Sequence, residues 1–280
     1  MKFKKASIVF SVIIIVLLLL IGFSISNILD RGTKEAKVAK EFIEELYDND
    51  IIEKNSIAKD EVIEEEILNK LSNKNSIIKY SVVIDNYGVD IDKDYNVVGF
   101  SNKNLGEGKY KAEEIGEEKA IDLAKTYISK ITKEKFSYKE MKTDDNDNSL
   151  VYNVVFYKYR NEYLCYQQEI NTLINKITGK LEGYTNYSLE AMNYVDEINI
   201  DEEKAKESVK NNFKSLNINA KIEGNPILAY INSSDKEMVL AYVFNIKIIN
   251  KDNTEEIIKS FVRADNGEVI NFNLEAVSNK

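Results

Sequence analysis

Several residue types are missing from this sequence or nearly so. Its 280 residues include no histidine, no tryptophan, one cysteine and one proline. Without histidine, the chain cannot form serine–histidine or cysteine–histidine nucleophile pairs or histidine-ligated zinc sites. One cysteine also excludes internal disulfides and multi-cysteine metal sites. We therefore expect a protein that is not an enzyme and that uses no cofactor or metal.

One acidic pattern comes near a known metal-binding loop. Asp90, Asp92 and Asp94 alternate as in an EF-hand, but the sixth and twelfth residues counted from Asp90 are Tyr95 and Ser101. An EF-hand requires glycine and glutamate at those two positions. The pattern therefore predicts a polar turn, and we assign no catalytic, cofactor-binding or metal-binding residue.

A long hydrophobic run lies near the N-terminus. Residues 6–29 carry no charge, and residues 8–23 are almost entirely aliphatic. A helix of about 20 apolar residues spans the hydrocarbon layer of a bilayer. Because three lysines and no acidic residue precede the run, the positive-inside rule keeps residues 1–5 in the cytoplasm and exports the rest. We predict a single-pass cell-membrane protein that contacts the lipid bilayer through residues 6–29 and has an extracytoplasmic C-terminal region.

A cleaved secretory signal is the alternative interpretation of this run. Such a signal has an apolar region of about 7–15 residues followed by an Ala-x-Ala-like site. Here the run is longer, and the nearest pattern of small residues is Ser24-Ile25-Ser26. The exported part keeps 35 of the 38 basic residues, since three precede the run, against 47 acidic ones. Such an acidic surface disfavours nucleic acid as a partner.

Short stretches of the sequence recur in the same order. Residues 115–120 reappear at 200–205, and the glycine turn at 178–181 has a counterpart at 266–269. A third pair joins residues 188–191 to residues 273–276. We infer an internal duplication. The predicted repeats cover residues 110–192 and 196–277, and residues 33–108 are a possible third, degenerate unit.

Each predicted repeat opens with an amphipathic helix and continues with strands. Apolar residues recur with a period of 3.6 at Ala120, Ala124 and Ile128, and again at Val209 and Phe213. Strands are predicted from alternating and β-branched residues. They cover residues 150–159, 162–174, 238–248, 256–264 and 269–272. The predicted fold class is α+β, with each helix packed on an antiparallel β meander.

The opening helix and the late hairpin of each repeat resemble those of the PepSY family. The same features are similar to repeats of the YcdB/YcdC type and of the germination protein YpeB. The matching stretches are residues 115–131 with 175–181, and residues 200–216 with 264–269. The resemblance implies extracytoplasmic α+β modules that inhibit or chaperone peptidases or serve in the cell envelope. It transfers no catalytic residue.

Tyrosines are concentrated on the two adjacent strands predicted in the first repeat. Tyrosine suits both sheet packing and adaptable binding surfaces. If a partner surface exists, these residues are its first candidates: Tyr152, Tyr157, Tyr159, Tyr163 and Tyr166. We expect a protein-binding module that regulates or inhibits a cell-envelope peptidase or cell-wall hydrolase. The alternative is a structural component of an envelope or sporulation/germination assembly.

Overall fold

A computed structural model describes residues 34–53, 62–63, 77–103, 113–142, 149–187, 192–234, 237–249 and 254–270. The predicted membrane segment, residues 6–29, lies outside these described residues. Within them, no helix has the length and apolar character needed to cross a bilayer. The described residues contain three helices and a large share of strand, so the chain is a mixed α+β protein.

The chain groups into two compact units. The first unit draws its described residues from Met1–Tyr127, Thr143–Asn153 and Thr172–Asn186. The second unit draws its own from Ile128–Lys142, Val154–Asn171 and Tyr187–Lys280. Helix α2 (Glu117–Ile131) and strands β6 (Val151–Arg160) and β7 (Tyr163–Asn175) contribute residues to both. The boundaries of the predicted repeats stay a prediction.

The first unit pairs five of its strands in the order β1-β2-β3-β4-β8, all antiparallel. Residues 34–48 are helical and form α1. The strands are β1 (Val62–Ile63), β2 (Tyr80–Ile84), β3 (Tyr87–Ile91), β4 (Val97–Asn102) and β8 (Leu181–Asn186). The apolar stripe of α1 faces this sheet, since the Phe42 ring meets Phe100 edge-on with centroids 6.1 Å apart.

The second unit pairs its strands in the order β5-β6-β7-β10-β11-β12-β13, with β9 beside β11. Its further elements are β5 (Phe136–Lys142), β9 (Asn193–Val195), α3 (Glu202–Ser215), β10 (Ala220–Ser234), β11 (Glu237–Ile249), β12 (Glu255–Arg263) and β13 (Val269–Ile270).

The predicted meander is only partly antiparallel. Strand β10 pairs in parallel with β7, with Ala229 opposite Leu164, and β9 pairs in parallel with β11. Parallel neighbours need a long crossover connection. Here the chain between β7 and β10 contains β8, β9 and α3. A simple succession of hairpins therefore does not describe the second unit.

Helix α3 packs on the sheet of the second unit as its apolar period predicts. Ala205, Val209 and Phe213 are buried, and they join Phe244 and Ile246 of β11 in one cluster. The Asp201 side chain accepts a hydrogen bond from the Lys204 backbone N–H and so caps the N-terminus of α3.

The same hairpin geometry occurs once in each unit. Gly179 and Gly267 both have positive φ, +73° and +79°, a conformation that favours glycine. A Cβ added at Gly179 would lie 3.7 Å from the Ile115 side chain, and one at Gly267 would lie 3.6 Å from the Ile200 side chain. The duplicated sequence stretches therefore adopt the same local arrangement of turn and helix entry.

Candidate functional site

The five candidate tyrosines lie on β6 and β7, and all are half-buried. Tyr152 belongs to the first unit and the other four to the second. The Tyr152 hydroxyl donates to the Glu114 carboxylate at 2.9 Å. The structure therefore separates Tyr152 from the rest of the predicted set.

The four remaining tyrosines divide between the two faces of the β6–β7 hairpin. Tyr157 and Tyr166 pack together with ring centroids 6.0 Å apart. Tyr159 lies on the same face as Tyr157, since alternate residues of a strand share a face. Tyr163 instead joins the cluster around buried Cys165. We define the tyrosine face as Tyr157, Tyr159 and Tyr166.

Two lysines of the neighbouring strand region lie beside the tyrosine face. The Lys139 ammonium is 5.3 Å from the centroid of the Tyr157 ring, and Lys135 is 5.2 Å from that of Tyr159. Both distances fall within the range of cation–π attraction. The Tyr159 hydroxyl also lies 3.1 Å from the Ser137 hydroxyl.

Ion pairs join lysines of β5 to a glutamate of β7 near this face. Lys139 forms an ion pair with Glu169, and Lys142 reaches the same carboxylate at 3.2 Å. Burial alone raises the pKa of Glu169, but the hydrogen bonds from Lys139 and Lys142 outweigh it, so the pKa is lowered. The carboxylate therefore stays ionised and holds Lys139 beside Tyr157.

A second cluster, which the sequence analysis missed, surrounds Arg160. Its guanidinium stacks 3.9 Å from the centroid of the Tyr194 ring. It also donates to Asp196 at 3.3 Å, and Tyr230 donates to the same carboxylate at 2.7 Å. Cation–π contact and charged hydrogen bonds favour an arginine here. Because 34 residues separate Tyr230 from Asp196, no local sequence pattern predicts the cluster.

The acidic turn performs a structural role. Asp92 accepts hydrogen bonds from the backbone N–H groups of Asp94 and Asn96 and from the Asn96 side chain. Its oxygens therefore close the turn between β3 and β4. Across the described ranges, no group of three or more histidine, cysteine, aspartate or glutamate residues could hold a metal ion.

Tyrosines with raised pKa values predict alkaline instability. Burial is the largest cause that raises the pKa of Tyr152, Tyr194 and Tyr230 to about 12, while the ordinary value is 10.0. Folding therefore favours the protonated phenols. This stabilisation is complete below pH 10 and is lost as the pH rises from about 10 to about 12. We expect tyrosinate absorbance and loss of circular dichroism to rise together in that window. Ionisation of Tyr152, Tyr194 and Tyr230 near pH 10 with no loss of structure would contradict this prediction.

Cys165 is predicted to be inert in the folded protein. Its side chain is fully buried, and burial raises the pKa of the thiol to about 11. Only the thiolate reacts with alkylating agents. At pH 8 we expect iodoacetamide to modify Cys165 at least about a hundredfold more slowly in the native chain than in urea, since both access and ionisation are reduced. Comparable rates in the two states, measured by mass spectrometry, would show that the Cys165 thiol is accessible to the reagent in the folded protein.

These features define a mixed α+β protein whose described residues hold paired tyrosines and lysines but no cluster of metal ligands. No protein-family model matches the sequence, and no curated protein matches it. Among solved structures, the chain is similar to the Bacillus megaterium YpeB C-terminal domain, with a TM-score of 0.47 and 17% identity. The match covers 75% of this chain and 87% of that chain. Membership of the YpeB or PepSY families stays a prediction.

Proposed function

We propose that this chain is a non-catalytic, membrane-anchored module that binds a protein in the cell envelope. Residues 6–29 hold it in the bilayer, and the folded units lie on the extracytoplasmic side. Through this binding it regulates or inhibits a peptidase or a cell-wall hydrolase. The excess of acidic over basic residues supports a protein partner over nucleic acid.

The tyrosine face is the observation that carries this proposal. Tyrosine is enriched at protein interfaces because its ring is apolar and its hydroxyl forms hydrogen bonds. Here Tyr157 and Tyr166 are already packed on each other, and Tyr166 also meets Phe261 edge-on at 5.3 Å. Binding would therefore restrict few side-chain rotamers. Lys135 and Lys139 beside the rings are paired with Glu162 and Glu169, so this surface offers a partner aromatic rings and hydroxyls more than unpaired positive charge.

Photo-crosslinking in the living cell tests the surface directly. A benzoylphenylalanine placed at Tyr159 reports contacts on the tyrosine face. The matched control is Tyr138 on β5, which is 40% exposed but packs edge-on against Phe156 on the opposite face. We expect a discrete crosslinked product from position 159 and none from position 138. Equal products from both positions, or none from position 159, would contradict the proposal.

The crosslinked partner distinguishes the two functions that the sequence left open. A peptidase or hydrolase supports regulation, whereas a spore-coat, cortex or division protein supports a structural role in an envelope or sporulation assembly.

The membrane topology is tested separately with a C-terminal alkaline phosphatase fusion. We expect the fusion to be active, since this enzyme requires an extracytoplasmic location to form its disulfides.

A further inference from the structure

A groove in the second unit lies between α3 and the start of β10, away from the tyrosine face. It is an open cleft of about 580 Å³. Its described walls come from one side of α3, from residues 218–224 and from Ile246 of β11. Pockets of about 300–1,000 Å³ accommodate small organic ligands. The groove therefore has the size of a ligand site.

The floor of this groove is apolar. Val209, Phe213 and Ile246 are buried members of the core cluster, and Ile218 and Ile222 pack against it half-exposed. Water gains few hydrogen bonds over such a floor, so an aliphatic chain lying there would be favoured.

An irregularity in β10 lies beside the groove. The pairing register with β11 shifts between Glu223 and Ile227, a stretch that includes Pro226, the sole proline. Proline is tolerated in sheets at bulges and edges. Gly224 has a φ of +68°, and a Cβ added there would meet no atom of the described residues within 4 Å. A ligand could therefore extend past Gly224 without a steric clash with them.

Three lysines of α3 line one side of the groove. Lys206, Lys210 and Lys214 are spaced four residues apart and so share one side of the helix. Lys206 is neutralised by ion pairs with Glu202 and Glu203. Lys210 and Lys214 have no carboxylate within 4.0 Å in the part of the chain that the structure describes. In a chain of net charge −9, these two cations mark a local preference for an anion.

We propose that the groove binds a single-chain amphiphile with an anionic head, such as a fatty carboxylate. The alkyl chain would lie along Val209, Phe213 and Ile222, and the head would pair with Lys210 and Lys214. A concave cleft of this size suits one chain better than a flat bilayer surface. This site is independent of the proposed function.

Photoaffinity labelling tests the site in the full-length protein. The chain is held in nanodiscs of zwitterionic phosphatidylcholine and exposed to hexadecanoate that carries a diazirine, below its micelle concentration. Mass spectrometry should locate the label within residues 206–224. Unlabelled carboxylates should compete, and each added CH₂ should strengthen competition about three- to fourfold until the cavity is filled.

Charge variants then test whether labelling depends on Lys210 and Lys214 themselves or only on the net charge of the protein. K210Q/K214Q should weaken labelling about five- to tenfold, since an ion pair made by an exposed lysine contributes modestly. K210R/K214R should retain it. The matched control K119Q/K204Q removes the same charge from exposed helix positions outside the groove and should leave labelling unchanged. Circular dichroism confirms that each variant is folded.

Several outcomes would overturn the site. One is the absence of label in residues 206–224, and another is equal labelling of K210Q/K214Q and the control. A third is binding to phosphatidylglycerol vesicles that depends on Lys210 and Lys214 while no carboxylate is taken up. That result would assign the lysines to a membrane surface and not to a ligand cavity.

Discussion

Replacement of Phe213 by alanine is expected to lower the free energy of unfolding by about 3–5 kcal/mol. The side chain is only 3% exposed and joins α3 to Phe244, Ile246 and Val262 of the sheet. Truncation removes these contacts and leaves a cavity that a rigid helix on a sheet fills poorly. The change is measured by urea unfolding followed by circular dichroism.

Phe213→Leu is the matched control for this substitution. It keeps most of the apolar volume, so its cost should stay near about 1.5 kcal/mol or below. A loss of less than about 1 kcal/mol for Phe213→Ala would mean that α3 contributes little to the second unit. The helix would then be a poor platform for the lysines of the groove.

Removal of the Glu134 carboxylate is expected to cost about 2–3 kcal/mol. The Lys158 side chain is 1% exposed, and its ammonium lies 3.1 Å from Glu134 and donates to the Tyr187 carbonyl at 2.7 Å. Glu134→Gln takes the opposite charge away from this buried ammonium. Because Glu134 is itself 34% exposed, the cost should fall below the 3–5 kcal/mol or so of a fully buried pair.

Lys158→Met provides the informative comparison. It removes the buried charge as well, so its cost should be about 1 kcal/mol or less even though a hydrogen bond is lost. Burial lowers the pKa of Lys158, and Glu134 opposes that shift. In Glu134→Gln the lysine should therefore lose its proton more easily, and the penalty should shrink as the pH rises from 7 toward the ordinary lysine pKa of 10.5. A penalty that is equal for both variants, or independent of pH, would contradict this account.

The helices could be predicted from the sequence because their determinants are local. The apolar residues of α3 lie within a few helical turns of one another, and Val209 and Phe213 are buried as predicted. In the first unit, by contrast, residues 80–91 form two strands, β2 and β3. Asp85 makes the turn with a φ of +52°, although neither glycine nor proline marks it.

Strand β10 was not predicted because its sequence interrupts the usual alternation. The Gly224-Asn225-Pro226 segment is typical of a loop, yet the strand continues through it from Ala220 to Ser234. Strand β5 was also missed, since its alternating residues are exposed and half-buried and include lysine and glutamate. Both strands are held by tertiary pairing, which local propensity does not encode.

The candidate site was predictable in composition but not in arrangement. The sequence shows which tyrosines lie on adjacent strands, but the buried positions of β7 change from odd at Cys165 to even at Ile170 and Ile174. A fixed period of two therefore could not assign the faces. The lysines of α3 are evident in the sequence, whereas the apolar floor beside them depends on the position of β10.

The parallel pairing of β10 with β7 has a consequence for how the chain folds during synthesis. Gln167 of β7 accepts a hydrogen bond from the Asn232 backbone N–H, and 65 residues separate the two. Such contacts give a high contact order, so closure is slow and follows the local hairpins. During synthesis, the edge of β7 that pairs with β10 stays unpaired until residue 230 has left the ribosome. Nascent chains arrested before that point should be the ones most prone to aggregate or to need a chaperone.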